Sequence, residues 1–372
     1  MRVAIVNTAR NYGGQEAMAA LLAEHLAARG HDVVFLCRPI YPALERVRRS
    51  VPVATVLDGV DWSPRAIWRA RRTLMKHATQ VVLVTTNKDM RTAALSAWSL
   101  GIPVVVRRAM ARPLRGSPHY RFLYGRIPAH IVTNSHATRR IMLDSAPWLH
   151  PERTSVIHNG IDPRPFREGP PADLGLPAGA VVVGFVGRFV EWKGVLTLAE
   201  AWRSVAHRLP GVHLVLAGAG EVEGEMRARL DGVERVHWIG FRNDVPAVMK
   251  ALDVLAFPST MEGFGIAAME AMAAGVPVIA ARAAALPEVI GHEREGLLVP
   301  PRDPVALAGA IERLATDAAL RRRLGAAGQE RVDREFTVDW MVDQYEQVLG
   351  AAEATRASGS GQAPEPSDVR PR

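Results

Sequence analysis

The chain is short of several things that would assign it quickly. A single cysteine, Cys37, in 372 residues excludes an internal disulfide framework and fits a reducing compartment. No apolar run approaches the ~20 residues of a membrane-spanning helix. The opening "MRVAIVNTAR" lacks the long apolar core and cleavage site of a signal peptide and reads as a first strand. There is no recognisable nucleic-acid-binding module and no interleaving of basic and aromatic residues, which argues against a nucleic-acid partner. The expectation is a cytoplasmic protein, with the inner face of the cell membrane as a peripheral location.

What is present is ample apolar material, 48% of residues, enough for the packed cores of two domains. The net charge of +8 is unevenly spread. Residues 1–178 hold 25 Lys and Arg against 12 Asp and Glu, an excess of +13, and the remainder holds 21 against 26, or −5. A basic first half suits an anionic partner, although an Arg-rich solvated surface would look the same.

Short β-branched runs alternate with helical segments throughout. "RVAIV", "DVVFLC", "PVATV", "VVLVT", "IPVVV", "HIVTNS" and "SVIHNG" fall in the first half; "VVVGFVGR", "HLVLAG", "RVHWIG", "VLAFP", "PVIAA" and "GLLVP" fall in the second. Alternating strands and helices require a parallel sheet covered on both faces. Two such series predict two doubly wound, Rossmann-like α/β domains facing across a cleft, with ligands at the carboxyl ends of the strands. The expected boundaries are 1–165 for the first domain, a Pro- and Gly-rich linker at 166–178, and 179–335 for the second. A helix at 336–350 should pack back toward the first domain, and 351–372 reads as a disordered tail.

The strand-end loops carry the chemistry. After the first strand, Gly13 and Gly14 open a helix that ends at Gly30. Glycines there expose N–H groups to a phosphate at the positive end of the helix dipole, though the third glycine of the dinucleotide fingerprint is missing. "RFVEWKG" places Arg188 and Lys193 at another strand end, where two cations could neutralise a diphosphate. "EGFGIAAME" holds Glu262, Gly263, Phe264, Gly265 and Ile266 before a helix that carries Glu270 among apolar residues and stops at Gly275. A carboxylate inside so apolar a helix needs a partner. Sugar hydroxyls supply suitable donors, and an internal Arg is the alternative.

In this order "GGQE", "VTNSHATRR", "VIHNGID", "GFVGRFVEWKG", "LVLAGAGE", "EGFGIAAMEAMAAGVPVIA" and "GLLVPPRD" resemble a retaining glycosyltransferase of the GT-B fold, in the large Glu-x7-Glu family (group 1, family 4). The likeness runs to about residue 350. It implies transfer of a sugar from a nucleoside-diphosphate sugar to a saccharide or lipid-linked hydroxyl, in bacterial envelope polysaccharide or glycolipid synthesis. By resemblance the first domain takes the acceptor and the second the donor. Arg188 and Lys193 would grip the diphosphate and stabilise the leaving nucleotide. Glu262 and the backbone of Gly263, Phe264, Gly265 and Ile266 would hold the sugar and its phosphate. Glu270 would accept from the ribose hydroxyls, and Gly14 would donate its N–H to the diphosphate. Gly240, Phe241 and Arg242 would lie near the base.

The resemblance further implies same-face attack, with the departing phosphate deprotonating the acceptor. The chain has no Asp-x-Asp motif, and neither a metal nor a cofactor is expected. Where many relatives carry a His after the fifth strand, this chain has Arg107 and Arg108, which cannot act as bases and become candidates on the acceptor side. His119, His136 and His158 read as structural. A sugar-nucleotide-binding protein or epimerase on the same fold is the alternative function. Finally, "DWSPRAIWRARRTLMKHA" reads as a helix after Ser63 with Pro64 in its first turn. Ile67, Ala70, Leu74 and His77 share one face and Arg65, Arg69, Arg72 and Lys76 another, with Trp62 and Trp68 flanking. Such a helix either simply packs on its sheet or also rests on an anionic membrane.

Overall fold

In the computed structural model the described residues are 1–10, 13–39, 44–56 and 63–358. They form two compact units, residues 1–159 with 338 onward, and residues 160–337.

The first unit holds seven parallel strands: β1 (Arg2–Val6), β2 (Asp32–Cys37), β3 (Val53–Thr55), β4 (Val81–Val84), β5 (Val104–Arg108), β6 (Pro128–Thr133) and β7 (Thr154–Val156). Their order in the sheet is β3-β2-β1-β4-β5-β6-β7. The near-continuous burial of β1, β2, β4 and β5 is what a parallel sheet covered on both faces demands. The first helix, Gly14–Ala28, ends as expected: Gly30 takes φ +86° and the His31 N–H bonds back to the Leu26 carbonyl.

The second unit has β8 (Val181–Val186), β9 (Val212–Ala217), β10 (Val236–Gly240), β11 (Val254–Phe257), β12 (Val278–Ala281) and β13 (Gly296–Val299), all parallel, in the order β10-β9-β8-β11-β12-β13. In each sheet the order reverses at one place, between β1 and β4 and between β8 and β11. Loops leaving neighbouring strands there diverge to opposite faces and leave a crevice at the strands' carboxyl ends. The second core gathers Phe185, Trp202, Leu214, Leu216, Ile279, Ile311 and Leu314, all essentially inaccessible to solvent.

The domain limits differ from expectation at both crossings. The units divide after Asn159 and again before Val338. The segment read as a linker is partly a helix, Arg164–Arg167, tied into the second unit. Phe166 is buried there, Arg167 pairs with Asp333 at 2.9 Å, and the Ala172 N–H bonds the Ala247 carbonyl at 2.9 Å. The last helix runs Val338–Ser358, eight residues into the stretch expected to be a disordered tail. Its extension is rich in alanine, a strong helix former, and it is anchored: Ala352 is buried and the Gln80 amide donates to Glu353 at 2.8 Å. At its start Arg29 reaches Asp339, Asp343 and Glu346 together. Residues 359–372 lie outside the described residues.

Candidate functional site

The loops after β8 and β11 leave adjacent strands at the reversal point of the second sheet, and they are stitched together. From Arg188 the chain passes through a short 3-10 turn, Glu191–Lys193, into the helix Val195–Val205. Gly194 joins them at φ +70°, and a Cβ there would lie 2.1 Å from the Pro258 carbonyl oxygen. Only glycine lets the two loops approach so closely. The Thr260 N–H then bonds the Trp192 carbonyl at 2.9 Å.

This contact brings Lys193 to Glu262, and the two form a largely buried ion pair. The Lys193 ammonium also lies 5.2 Å from the Trp192 ring centre and 4.8 Å from that of Phe257. The Arg188 guanidinium also lies over the Trp192 ring, 5.7 Å from its centre, and is exposed to solvent. Trp192 is therefore a platform shared by two cations. Sequence reasoning passed over it as spacer, although a tryptophan between two cations at a strand end was the available signal.

The helix Ile266–Ala273 starts from Gly265, which takes φ +97°. It is not buried all round as its composition suggested. Ala268, Met269, Ala271, Met272 and Ala273 are buried, whereas Ile266, Ala267 and Glu270 are only partly covered. Those three share one side, so Glu270 occupies the stripe that still reaches solvent. Among the described residues its carboxylate has no hydrogen-bond or ion-pair partner, and the internal Arg considered for it is not there. Burial pushes it up to about 7, partly opposed by the field of Lys193.

Arg188, Lys193, Glu262 and Glu270 are thus brought to one place by two loops and a helix start. Gly240, Phe241 and Arg242 sit at the end of β10, two strands away. Phe241 is 76% exposed, and Arg242 is clasped by Asp244 through bonds of 2.8 and 2.5 Å. The Gly240 carbonyl accepts from the Gly218 N–H at 2.7 Å, joining this turn to the loop after β9.

Gly14, Arg107 and Arg108 belong to the first unit. Gly14 is the first residue of its helix, with Gly13 as extended N-cap. Arg107 and Arg108 are not loop residues but the last two of β5, and both are buried. Arg107 donates to Asn159 Oδ1 at 2.7 Å and meets Tyr345 of the C-terminal helix. Arg108 donates to the Arg112 carbonyl and meets Tyr124. Tyr124 itself, which no local pattern singled out, donates to Asn87. Asp89, in the 3-10 turn Asp89–Arg91 that follows β4, is fully buried and raised to about 6 by that burial, although Thr8 and Thr86 donate to it.

With the fold and site in place, comparison with known proteins is direct. The model of glycosyltransferase family 4 matches residues 12–164, and that of glycosyl transferases group 1 matches residues 180–317. The chain belongs to the group 1 glycosyltransferases and has their GT-B fold. It is similar to the D-inositol 3-phosphate glycosyltransferase of Saccharomonospora viridis, 33% identical over 226 residues that cover 55% of this chain and 52% of that protein. It is also similar to the lipopolysaccharide core biosynthesis glycosyltransferase LpsE of Rhizobium meliloti, 36% identical over 183 residues, 48% and 53% of the two. The match thus spans about half the length of these curated relatives. Among solved structures, Anabaena HepE in complex with UDP and glucose superposes with a TM-score of 0.82 at 23% identity, over 94% of this chain and 99% of that one. No helix among the described residues is long and apolar enough to cross a membrane.

Proposed function

We propose that the chain transfers a sugar, with retention and without a divalent metal, from a nucleoside-diphosphate sugar to a hydroxyl of a saccharide or lipid-linked acceptor in bacterial envelope polysaccharide or glycolipid synthesis. The observation that carries this reading is Glu270: a carboxylate held, among the described residues, without a hydrogen-bond or ion-pair partner beside Lys193, Glu262 and Arg188 at the carboxyl end of a parallel sheet. Such a group is stabilised once vicinal hydroxyls donate to it, and a ribose provides two. Arg188 and Lys193 then face the diphosphate. Negative charge grows there as the glycosidic bond breaks, so fixed cations favour the transition state over the ground state. Glu262 orients Lys193 and, with the backbone from Gly263 to Ile266, receives the sugar. Gly14 donates to the diphosphate, and Gly240, Phe241 and Arg242 border the base. UDP, held by the Anabaena relative, is the first nucleotide to try.

The test is turnover of a panel of nucleotide sugars by the full chain, with and without candidate acceptors. Nucleoside diphosphate should be released and a new glycoside formed with its anomeric configuration kept. Donor that returns epimerised, or that binds without release under every condition, overturns transfer in favour of an epimerase or binding protein.

One surface supports a second partner. On helix Pro64–Lys76 the residues Ala66, Ala70 and Leu74 are buried, with Ile67 and His77 half-covered, so this helix does pack on its sheet. Its other side carries Trp68, 58% exposed, under Arg72, with Met75, Arg65, Arg69 and Lys76 also open. Arg71 donates to Ser99 at 2.7 Å, and the neighbouring helix end presents Trp98 edge-on to Phe122 at 5.5 Å. Trp62 lies outside the described residues. Exposed indoles among cations suit the headgroup layer of an anionic bilayer. Co-sedimentation should require anionic vesicles and weaken with salt; a chain that stays in the supernatant at low salt argues for a soluble acceptor.

A further inference from the structure

Arg107 and Arg108 end β5 with 2% and 7% of their surface exposed. A buried guanidinium is costly unless an anion faces it, and among the described residues no carboxylate pairs with either. Their neighbours differ because consecutive strand residues point to opposite faces. Arg107, the less exposed of the two, is held by Asn159 and Tyr345 against the C-terminal helix, although its Nε and Nη1 are also buried without an acceptor. Arg108 has the Arg112 carbonyl and the Tyr124 phenol, and its Nε is buried with no acceptor.

The surroundings of Arg108 are polar. Tyr124 stacks on Tyr120 at 5.9 Å and donates to Asn87, in the loop after β4. Asn134, at the end of β6, uses its amide N–H on the Ala109 carbonyl at 3.3 Å, and its Oδ1 is buried without a donor. Asp89 is close enough to act on Tyr124, yet it is not the counter-charge of Arg108. It accepts from the Thr8 N–H, the Thr8 hydroxyl and the Thr86 N–H at 3.1, 2.6 and 2.8 Å. A buried cation with an unfilled N–H therefore stands at the carboxyl end of β5 with no counter-charge among the described residues.

We infer that the acceptor is anionic, and that Arg108, whose buried Nε has no acceptor, receives a phosphate or carboxylate group of that acceptor. The inference rests on the transfer reading for the identity of the ligand as acceptor. It makes Arg108 a specificity-determining residue: an Arg fork matches two oxygens of either anion, and a neutral hydroxyl leaves the charge unanswered.

Calorimetry on the full chain saturated with UDP, so that Arg188 and Lys193 are occupied, tests this with three matched probes: methyl glucoside, glucose 6-phosphate and glucuronate. At least one anionic probe should bind tenfold or more tighter than the neutral one, and which of the two does so separates phosphate from carboxylate. In Arg108→Gln the preference should collapse, with UDP binding unchanged; Arg108→Lys, which keeps the charge but not the fork, should retain part of it. Equal affinities for all three probes in the wild-type chain overturn the inference without recourse to any variant, and so does an anion preference that persists in Arg108→Gln. Failure of UDP and of every other nucleoside diphosphate to bind overturns the donor reading instead, so the two failures are distinct.

Discussion

Replacing Glu270 by Gln removes a charge and keeps the shape, and its effects on stability and on binding should have opposite signs. Burial raises the carboxyl from its ordinary 4.5 to about 7. Between those values the native state binds a proton that the unfolded chain has lost, so stability falls as pH rises through that window and is level above it. At about 1.4 kcal/mol per pH unit the full cost of ionising Glu270 is about 3 kcal/mol. The neutral amide escapes this cost. Glu270→Gln should therefore match the wild type in urea unfolding at pH 4 and gain stability up to pH 7. By pH 8 the gain should reach about 3 kcal/mol, less whatever the amide's own burial costs. Exchanging charge-assisted for neutral hydrogen bonds to a ribose should cost about 1–3 kcal/mol, on the order of 10- to 100-fold in UDP affinity by calorimetry. In the wild type, UDP binding should strengthen as pH passes about 7 and release a proton below it. A variant that is less stable at pH 8, or that binds UDP as well as the wild type, would refute the assignment of Glu270 as a carboxylate waiting for a ligand.

The remaining expectations concern the same loops. Arg188→Ala and Lys193→Ala should each lower transfer by roughly two orders of magnitude, the scale of one preorganised transition-state contact, with the circular dichroism spectrum unchanged; wild-type turnover in either variant removes that residue from the donor grip. Gly194→Ala should lose both stability and UDP affinity, because its methyl must displace the Pro258 carbonyl at a positive φ. Unaltered UDP binding there would mean that the close approach of the two loops does not position Lys193. Transfer should survive excess chelator, and an activity abolished by chelation and restored by magnesium or manganese would contradict a metal-independent mechanism.

The parts of this molecule that were legible in advance are those written as repeated local pattern. All thirteen strands fall where short β-branched runs sit between helical segments, because a sheet buried on both faces admits little else. Arg188, Lys193 and Glu262 were equally readable, since each stands beside a glycine at a strand-to-helix turn, and Glu270 stood out as the one charge in an apolar helix. Trp192 was not read, for its role depends on two cations approaching one ring. The ends of elements were harder. The stretch after Gly350 looked too polar to fold, and it is helical as far as Ser358 because Ala352 and Glu353 find partners in distant strands and loops. Likewise the Pro-rich segment after Asp162 looked like a free linker, and contacts with Asp333, Ala247 and Lys250, far away in sequence, fasten it to the second unit.

Glu270 and Arg108 show why one unanswered charge could be found by reading and the other could not. A carboxylate in "IAAMEAMAAG" violates the composition of its own helix, so the conflict is visible within ten residues. An arginine closing a strand violates nothing, because strand ends normally reach solvent. The burial of Arg108 comes from Tyr124 and the segment around Arg112, which arrive only with the tertiary fold. Both groups lie at the carboxyl edge of a doubly wound sheet, and both carry a desolvation cost that their own units do not fully offset. Purely structural charges are treated differently in this molecule: Glu295 is buried against Arg331 at 3.1 Å and also accepts the Gly291 N–H at 2.7 Å. Glu295 is thus answered within its own unit, whereas among the described residues Glu270 is not. Glu270 and Arg108 are the two charges on which the donor and acceptor proposals rest.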